Sequence, residues 1–88
     1  KAGVKALTAT LSKELAIYNI RTACISPGIV DSDSTRKDLN SLYEKRWKNL
    51  IPLKRFATLE EIFSCVEFVI KNDYFNGKCL RIDGGLEY

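Results

Sequence analysis

The first part of the chain has apolar residues at helical spacing. They recur every three or four positions and are Val4, Leu7, Leu11, Leu15 and Tyr18. This spacing places them on one face and predicts a helix of about five turns, with Asn19 at its carboxyl end. The next stretch, 20–25, is mostly apolar and β-branched, which predicts a strand buried on both faces. Ser-Pro-Gly at 26–28 ends this strand.

Two further helices are predicted in the second half of the chain. A polar cluster at 31–35 contains turn and N-cap residues, and apolar positions at helical spacing follow it, which predicts a helix over about 35–50. Pro52 would stop that helix. The third helix begins with a capping box, in which the Thr58 hydroxyl and the Glu61 carboxylate each bond the other residue's backbone amide. We expect this helix to continue to about Lys71.

A second strand is predicted near the end of the chain. Asn76-Gly77 is a strong turn signal, Lys78–Ile82 has the pattern of a short strand, and Asp-Gly-Gly at 83–85 closes it. Helices between two apolar strands favour a parallel sheet with helices on its faces, so the fold class is α/β in the order helix–strand–helix–helix–strand. Two strands do not make a stable sheet alone, so we expect its other strands to come from elsewhere.

Composition supports a globular protein and excludes several functions. Of the 88 residues, 45% are apolar and 28% charged, and the net charge of +3 is spread along the chain, so we expect no nucleic-acid partner. Apolar runs are too short to span a bilayer, and we expect no membrane partner. There is no histidine and the cysteines are scattered, so we expect no metal site. The three cysteines are widely spaced, and one would be left over from any pairing, which favours a reducing, cytoplasmic location.

The segment after the first strand is the most site-like part of the sequence. Ligands of open parallel sheets bind beyond the carboxyl ends of the strands, and Gly28 would let the backbone approach a ligand without a β-carbon in the way. Amides at Ile29 and Val30 and the Ser32 hydroxyl could bond an amide or a phosphate. The alternative is a plain exit from strand to loop, which Pro-Gly also makes, and the local sequence alone favours that alternative.

An ordered set of short motifs over the whole chain resembles the short-chain dehydrogenase/reductase family, with its 3-oxoacyl-acyl-carrier-protein reductase-like members closest. Its pieces are Lys1–Val4, Leu7-Thr8, Leu11–Ala16, Asn19–Arg21, Ile25–Gly28, Pro52–Phe56, Glu60–Ile62 and Gly77–Gly85. The resemblance implies the carboxyl-terminal part of a Rossmann-like doubly wound parallel sheet. It also implies NAD or NADP as cofactor, a small carbonyl or alcohol substrate, and a homodimer or homotetramer.

The resemblance assigns roles to individual residues. Lys1 takes the place of the lysine in the family's Tyr-x-x-x-Lys motif, where it lowers the tyrosine pKa and binds the nicotinamide ribose; without the resemblance it would be a surface lysine. Pro27, Gly28 and Val30 match the Pro-Gly segment, in which a backbone amide bonds the nicotinamide carboxamide. Ser32 stands where the family usually has a cofactor-binding threonine.

The helix over 35–50 corresponds to the family's variable substrate lid. Leu39, Leu42, Tyr43 and Trp47 could line an apolar substrate cleft, or they could be plain packing, and the spacing leaves both open. The chain also departs from the family's pattern, most clearly at Lys54, where a glycine is common in Pro-Leu-Gly-Arg.

The expected function is that of an NAD(P)-dependent oxidoreductase that moves a hydride between nicotinamide and a carbonyl or alcohol substrate. The chain has no methionine and its helical pattern starts at Lys1. We therefore expect residues 1–88 to be the carboxyl-terminal segment of one NAD(P)-binding domain, inactive without the amino-terminal cofactor-binding half. The alternative is a non-catalytic relative, or fragment, with a role in oligomer assembly.

Overall fold

A computed structural model of the chain describes residues 2–32 and 41–86, and their elements follow the expected order. Helix α1 spans Ala2–Leu15 and continues as a 3-10 turn over Ala16–Tyr18. The other elements are strand β1 at Ala23–Pro27, helix α2 at Ser41–Leu50, helix α3 at Leu59–Lys71 and strand β2 at Lys78–Ile82. The α/β class and the order of elements are confirmed. The cap cluster at 33–35 and the predicted start of α2 lie outside the described residues.

β1 and β2 pair in parallel. Two backbone hydrogen bonds show the direction. Gly77 N donates to Thr22 O (2.8 Å) just before both strands begin, and Gly28 N donates to Ile82 O (2.7 Å) where both strands end. The predicted start of β1 at Ile20 was wrong by three residues. Ile20 N still donates to Leu15 O at the end of the helix, and Thr22 N donates to the Asn76 side chain. These bonds hold the chain outside the strand ladder until Ala23.

The described chain forms two compact units. The first takes its residues from Lys1–Ser26 and Ser64–Leu80. In it, α1 lies close to the residue before β1, where the Thr22 hydroxyl donates to Thr8 O at 2.8 Å. It also lies close to the turn before β2, where a β-carbon at Gly77 would clash with Ser12. Gly77 also has a φ of 72°, which glycine adopts without strain. The predicted turn at this position is confirmed, and close packing adds a second reason for its glycine.

The second unit takes its residues from Pro27–Phe63 and Arg81–Tyr88. Its core is a cluster of Ile51, Phe56 and Leu86, with Ile29 and Trp47 packed against it. The capping box of α3 forms as expected: the Glu61 amide donates to the Thr58 hydroxyl, and Thr58 N donates to the Glu61 carboxylate. None of the described helices is long and apolar enough to cross a membrane.

Candidate functional site

The candidate site is the segment 27–32, which leaves β1 at its carboxyl end. Gly28 N donates to Ile82 O at 2.7 Å, which holds the segment beside the end of β2. Two residues later Val30 forms a parallel bridge with Ala57. The bridge consists of Ala57 N donating to Ile29 O (2.9 Å) and Asp31 N donating to Ala57 O (2.8 Å). The segment is therefore held on both sides by backbone bonds within the second unit.

The bridge also sets the direction of the Val30 amide. In a parallel pair, the residues on either side of the bridged one bond to the partner strand, so the bridged residue's own N–H and C=O point away from it. Ile29 O and Asp31 N take the two bonds to Ala57. The Val30 N–H consequently points away from Ala57, and Val30 is half-buried. It is one of the two amides, with that of Ile29, that the sequence offers as donors to a ligand.

Gly28 fits its position for a reason that the sequence did not reveal. A β-carbon there would lie 2.8 Å from Asp83 Cα and 3.0 Å from Asp83 Cβ, closer than such atoms pack. The close approach that glycine permits is thus to the backbone after β2. Asp83 in turn receives the Gly85 amide (3.1 Å) and the Arg81 guanidinium (3.0 Å). Gly28 therefore allows the end of β1 to lie against the backbone that follows β2. The direct approach of a ligand to Gly28 stays a prediction.

The remaining predicted cofactor residues are placed as follows. Pro27 is the last residue of β1 and is exposed, and Ser32 is half-buried two residues beyond Val30. The structure thus brings Pro27, Gly28, Val30 and Ser32 together in one short segment. Lys1 lies outside the described residues. The roles assigned to all five stay predictions.

A small cleft of about 90 Å³ lies beside the segment, within the second unit. Its walls include side chains from the segment, the loop before α3 and the end of β2, namely Ile29, Ile51, Leu53, Arg55, Ala57, Glu61, Ile82 and Asp83. Arg55 and Glu61 form a two-pronged ion pair on one wall, with both N–O distances at 2.7 Å. The cleft has room for only a few water molecules, which excludes it as the whole of a substrate site.

The Arg55–Glu61 pair was missed by sequence reasoning. Arg55 hydrogen-bonds the Glu61 carboxylate, and together with the Thr58 amide it lowers the pKa of Glu61 to about 2; the same pairing raises the pKa of Arg55. The capping box pointed to Glu61 alone. An arginine six residues before it is not at helical spacing, so only the turn around Ala57 brings the two together. The signal available in the sequence was the position of Arg55 just ahead of a predicted N-cap.

The predicted substrate residues behave differently from one another. Trp47 packs against the core of the second unit, which supports the packing interpretation for it. Tyr43 is 52% exposed and Leu42 58% exposed on α2. Leu39 lies outside the described residues. A substrate role for Tyr43 and Leu39 stays a prediction.

No metal-binding group is found in the described part of the chain. Nowhere in it do three histidine, cysteine or acidic side chains come together.

Comparison with known proteins places this fold and segment in a family. A family model described as enoyl-(acyl carrier protein) reductase matches residues 1–87. The chain is 40% identical over 88 residues to the 3-oxoacyl-[acyl-carrier-protein] reductase FabG of Chlamydia muridarum. The aligned residues are 98% of this chain and 35% of that protein. The chain thus spans about a third of the length of the curated relatives that it matches.

Solved structures agree with the sequence comparison. A short chain dehydrogenase from Bacillus anthracis is 35% identical, with a TM-score of 0.82 over 97% of this chain and 34% of its own. An NADPH-dependent reductase of bacilysin biosynthesis superposes with a TM-score of 0.85 at 26% identity, covering 96% and 36%. A 4-hydroxyisoleucine dehydrogenase mutant in complex with NADH and succinate has a TM-score of 0.84 at 28% identity, covering 93% and 35%.

These proteins define the class as Rossmann-fold nicotinamide-dependent oxidoreductases. The chain belongs to the short-chain dehydrogenase/reductase family, and the family predicted from its motifs is confirmed.

Proposed function

We propose that residues 1–88 form the carboxyl-terminal part of a single NAD(P)-binding domain in a short-chain oxidoreductase. The reaction is hydride transfer between the nicotinamide and a carbonyl or alcohol substrate, with a 3-oxoacyl thioester, a sugar or a small alcohol as the substrate classes. The family match over nearly the whole chain supports this reaction. The proteins that it resembles are named reductases and dehydrogenases and include both NADPH- and NADH-linked ones.

The direction of the Val30 amide is the structural observation that supports this proposal. Its N–H faces away from Ala57 at the carboxyl end of a parallel strand, the position at which such sheets hold ligands. A carboxamide oxygen is a matching acceptor for a backbone N–H. The segment is held by backbone bonds on both sides, so the donor keeps its orientation without any side chain.

The residues of the segment therefore fit a nicotinamide, and the bound nicotinamide would supply or accept the hydride. In this proposal Val30 orients the carboxamide, and the Ser32 hydroxyl adds a hydrogen bond to the cofactor. Pro27 and Gly28 set the path of the chain by ending β1 and joining Asp83. Tyr43 and Leu39 would belong to the substrate side of the site. The protein supplies position, and electrostatic stabilisation comes from Lys1.

Lys1 is proposed as the charge that makes the family's tyrosine an acid at neutral pH. A tyrosine four residues earlier on the same helix would lie beside its ammonium, and a neighbouring positive charge lowers a phenol's pKa. Replacing Lys1 with alanine in the full-length protein should lower kcat by about 10²-fold or more and should also weaken NAD(P)H binding.

Lys5 provides the matched control, since it is four residues further along the chain and is exposed on α1. Lys5→Ala should leave kcat and the cofactor dissociation constant within about twofold. Steady-state kinetics with NADH and NADPH, together with cofactor titration by fluorescence, measure both quantities. Equal kinetics of Lys1→Ala and the unmodified protein would refute the role of Lys1.

A role in assembly is the second candidate, and exposed apolar residues on the first unit favour it. On and just after α1, Val4, Leu7, Ile17 and Tyr18 are each more than half exposed. We propose that these residues contact a second copy in a homodimer or homotetramer. Full-length protein that assembles but binds neither NADH nor NADPH would support a purely structural role and exclude the enzymatic one. We also propose a cytoplasmic location, in keeping with three free cysteines.

A further inference from the structure

Cys24 and Cys79 face each other across the two strands of the sheet. β1 and β2 each have five residues, run parallel and pair with each other over Ala23–Pro27 and Lys78–Ile82. The Gly28 N–Ile82 O hydrogen bond at the end of the strands places Pro27 opposite Ile82. Three residues back along both strands, Cys24 lies opposite Cys79. Opposed residues share one face of the sheet, so their two thiols are neighbours. Both belong to the first unit.

The electrostatic environment of Cys24 agrees with this register. A hydrogen bond with the Cys79 thiol is the main cause that raises the pKa of Cys24, and burial adds to it, while the nearby Lys5 ammonium acts in the opposite direction. The distance between opposed residues on the two strands also suits a disulfide. Neighbouring strands lie about 4.8 Å apart, which is inside the range of about 4.4–6.8 Å between the Cα atoms of a disulfide.

We propose that Cys24 and Cys79 are a reversible oxidation site, at which a peroxide converts the facing thiols into a disulfide between β1 and β2. Neither the family's hydride transfer nor the segment 27–32 uses these thiols, so the site is independent of the proposed function. Both cysteines are half-buried among the described residues, and hydrogen peroxide is small enough to reach a half-buried thiol. The bond would tie β1, which leads into the segment 27–32, to β2, whose end lies beside that segment.

The chemistry balances with one peroxide and no other reagent. The sulfur of Cys79 attacks one peroxide oxygen, the O–O bond breaks, and water leaves, which gives a sulfenic acid. The sulfur of Cys24 then attacks the Cys79 sulfur and releases a second water as the S–S bond forms. The two thiols lose two electrons and two protons in total, and hydrogen peroxide becomes two waters. A reducing thiol such as dithiothreitol reverses the bond by exchange.

Cys65 is the internal comparison. It lies on α3, is only 7% exposed, and burial raises the pKa of its thiol. No other cysteine shares its element. Because a buried, protonated thiol without a neighbouring thiol reacts slowly, Cys65 should stay reduced while the facing pair is oxidised.

The test is peptide mapping of the reduced full-length protein after treatment with hydrogen peroxide. Trypsin cleaves after Arg21, Arg55 and Lys78, so the three cysteines fall on separate peptides, 22–36, 56–71 and 79–81. We expect a linked peptide joining 22–36 to 79–81, lighter by two hydrogens than the sum of the two, on protein that migrates as a single chain in a non-reducing denaturing gel. Dithiothreitol should restore both free peptides.

Substitutions give the matched controls. Cys65→Ser should keep the link, whereas Cys24→Ser and Cys79→Ser should each abolish it. Should either of those two variants fail to fold, alkylation of the unmodified protein decides: oxidation must protect Cys24 and Cys79 equally and leave Cys65 unchanged. Sulfinic acid on unlinked Cys24 and Cys79, a link to Cys65, or a link between chains would overturn the proposal.

Discussion

Lys54 has a left-handed backbone, with a φ of 60°, at the position where the resemblance to the family implies a glycine. A β-carbon makes that conformation unfavourable by about 1 kcal/mol. Its amide donates to Ile51 O at 2.8 Å, which closes the turn after α2 and prevents the backbone from relaxing. The departure from the family pattern therefore leaves a strained residue in a turn that packs beside the core of the second unit.

Replacing Lys54 with glycine should accordingly stabilise the protein by up to about 1 kcal/mol, because it removes the strain. Lys54→Ala is the matched control, since it removes the ammonium, which bonds Asn49 O, but keeps the β-carbon. Urea unfolding of the three proteins measures the difference. Glycine and alanine variants of equal stability would show that the backbone is not strained.

Glu61 is the residue whose ionisation should affect stability in acid. Its pairing with Arg55 and the Thr58 amide lowers its pKa to about 2. A carboxylate with a depressed pKa in the folded state stabilises that state above its unfolded pKa of about 4.3. This stabilisation is lost as the pH falls from about 4.5 towards 2, because the proton then binds more readily to the unfolded chain.

Glu61→Gln should therefore lower the thermal midpoint at pH 6, and its difference from the unmodified protein should shrink between pH 4.5 and pH 2. Glu67→Gln is the control, since Glu67 pairs with Lys71 on an exposed helical surface and should change the midpoint little at any pH. Thermal melts followed by circular dichroism across this range measure both. A difference for Glu61→Gln that is constant with pH would contradict the assignment.

At the scale of elements, Arg21 holds the carboxyl end of α3. Its guanidinium donates to the carbonyl oxygens of Val69 (2.8 Å), Ile70 (3.0 Å), Asn72 (2.9 Å) and Phe75 (3.2 Å). The last carbonyls of a helix have no partner within the helix, and a positive charge there also interacts favourably with the helix dipole. One side chain from the approach to β1 thus satisfies the end of α3 and the turn after it.

Replacing Arg21 with lysine should cost about 2 kcal/mol, because an ammonium cannot reach four carbonyl oxygens in the same fork-like geometry. Arg46→Lys makes the same chemical change on an exposed face of α2 and should be within about 0.5 kcal/mol of the unmodified protein. Urea unfolding gives both values, and hydrogen exchange of the amides at 72–77 should quicken only in Arg21→Lys. Equal stability of the two variants would exclude the capping role.

The elements predicted well are those with local signals. The apolar spacing predicted α1, the capping box predicted the start of α3, and Asn76-Gly77 predicted the turn before β2, since each depends on residues close in sequence. β1 was placed three residues too early because Arg21 and Thr22 bond to residues 69–76, some fifty positions away. No local pattern shows such partners.

The candidate site was also predicted only as far as local motifs allow. The Pro-Gly motif located the segment after β1, but the direction of the Val30 amide depends on a bridge to Ala57, and the need for Gly28 depends on Asp83. The Arg55–Glu61 pair likewise forms across a turn. Trp47 shows the limit of apolar spacing, which reports that a residue is buried on a helix face but not whether a ligand or the core covers it.

At the scale of the whole molecule, the described residues bury little apolar surface. The core cluster of the second unit has three buried members, whereas Leu7, Ile17, Phe63 and Ile70 are each more than half exposed. The two strands have no further partner among the described residues, and a two-stranded sheet is marginal alone. Apolar faces and strand edges left open in this way favour association between chains.

The 88 residues expressed alone should therefore be molten or associated, with strong binding of a hydrophobic dye and a broad thermal transition. Ile17→Glu and Tyr18→Glu together should reduce association, because both residues are exposed just beyond α1, while Lys13→Glu on the same helix serves as a charge control. Light scattering after size-exclusion chromatography, with near-ultraviolet circular dichroism, measures size and packing. A monomer that unfolds in one sharp, cooperative transition would mean that these residues fold without further strands, and that the exposed faces of α1 and α3 are not sites of contact.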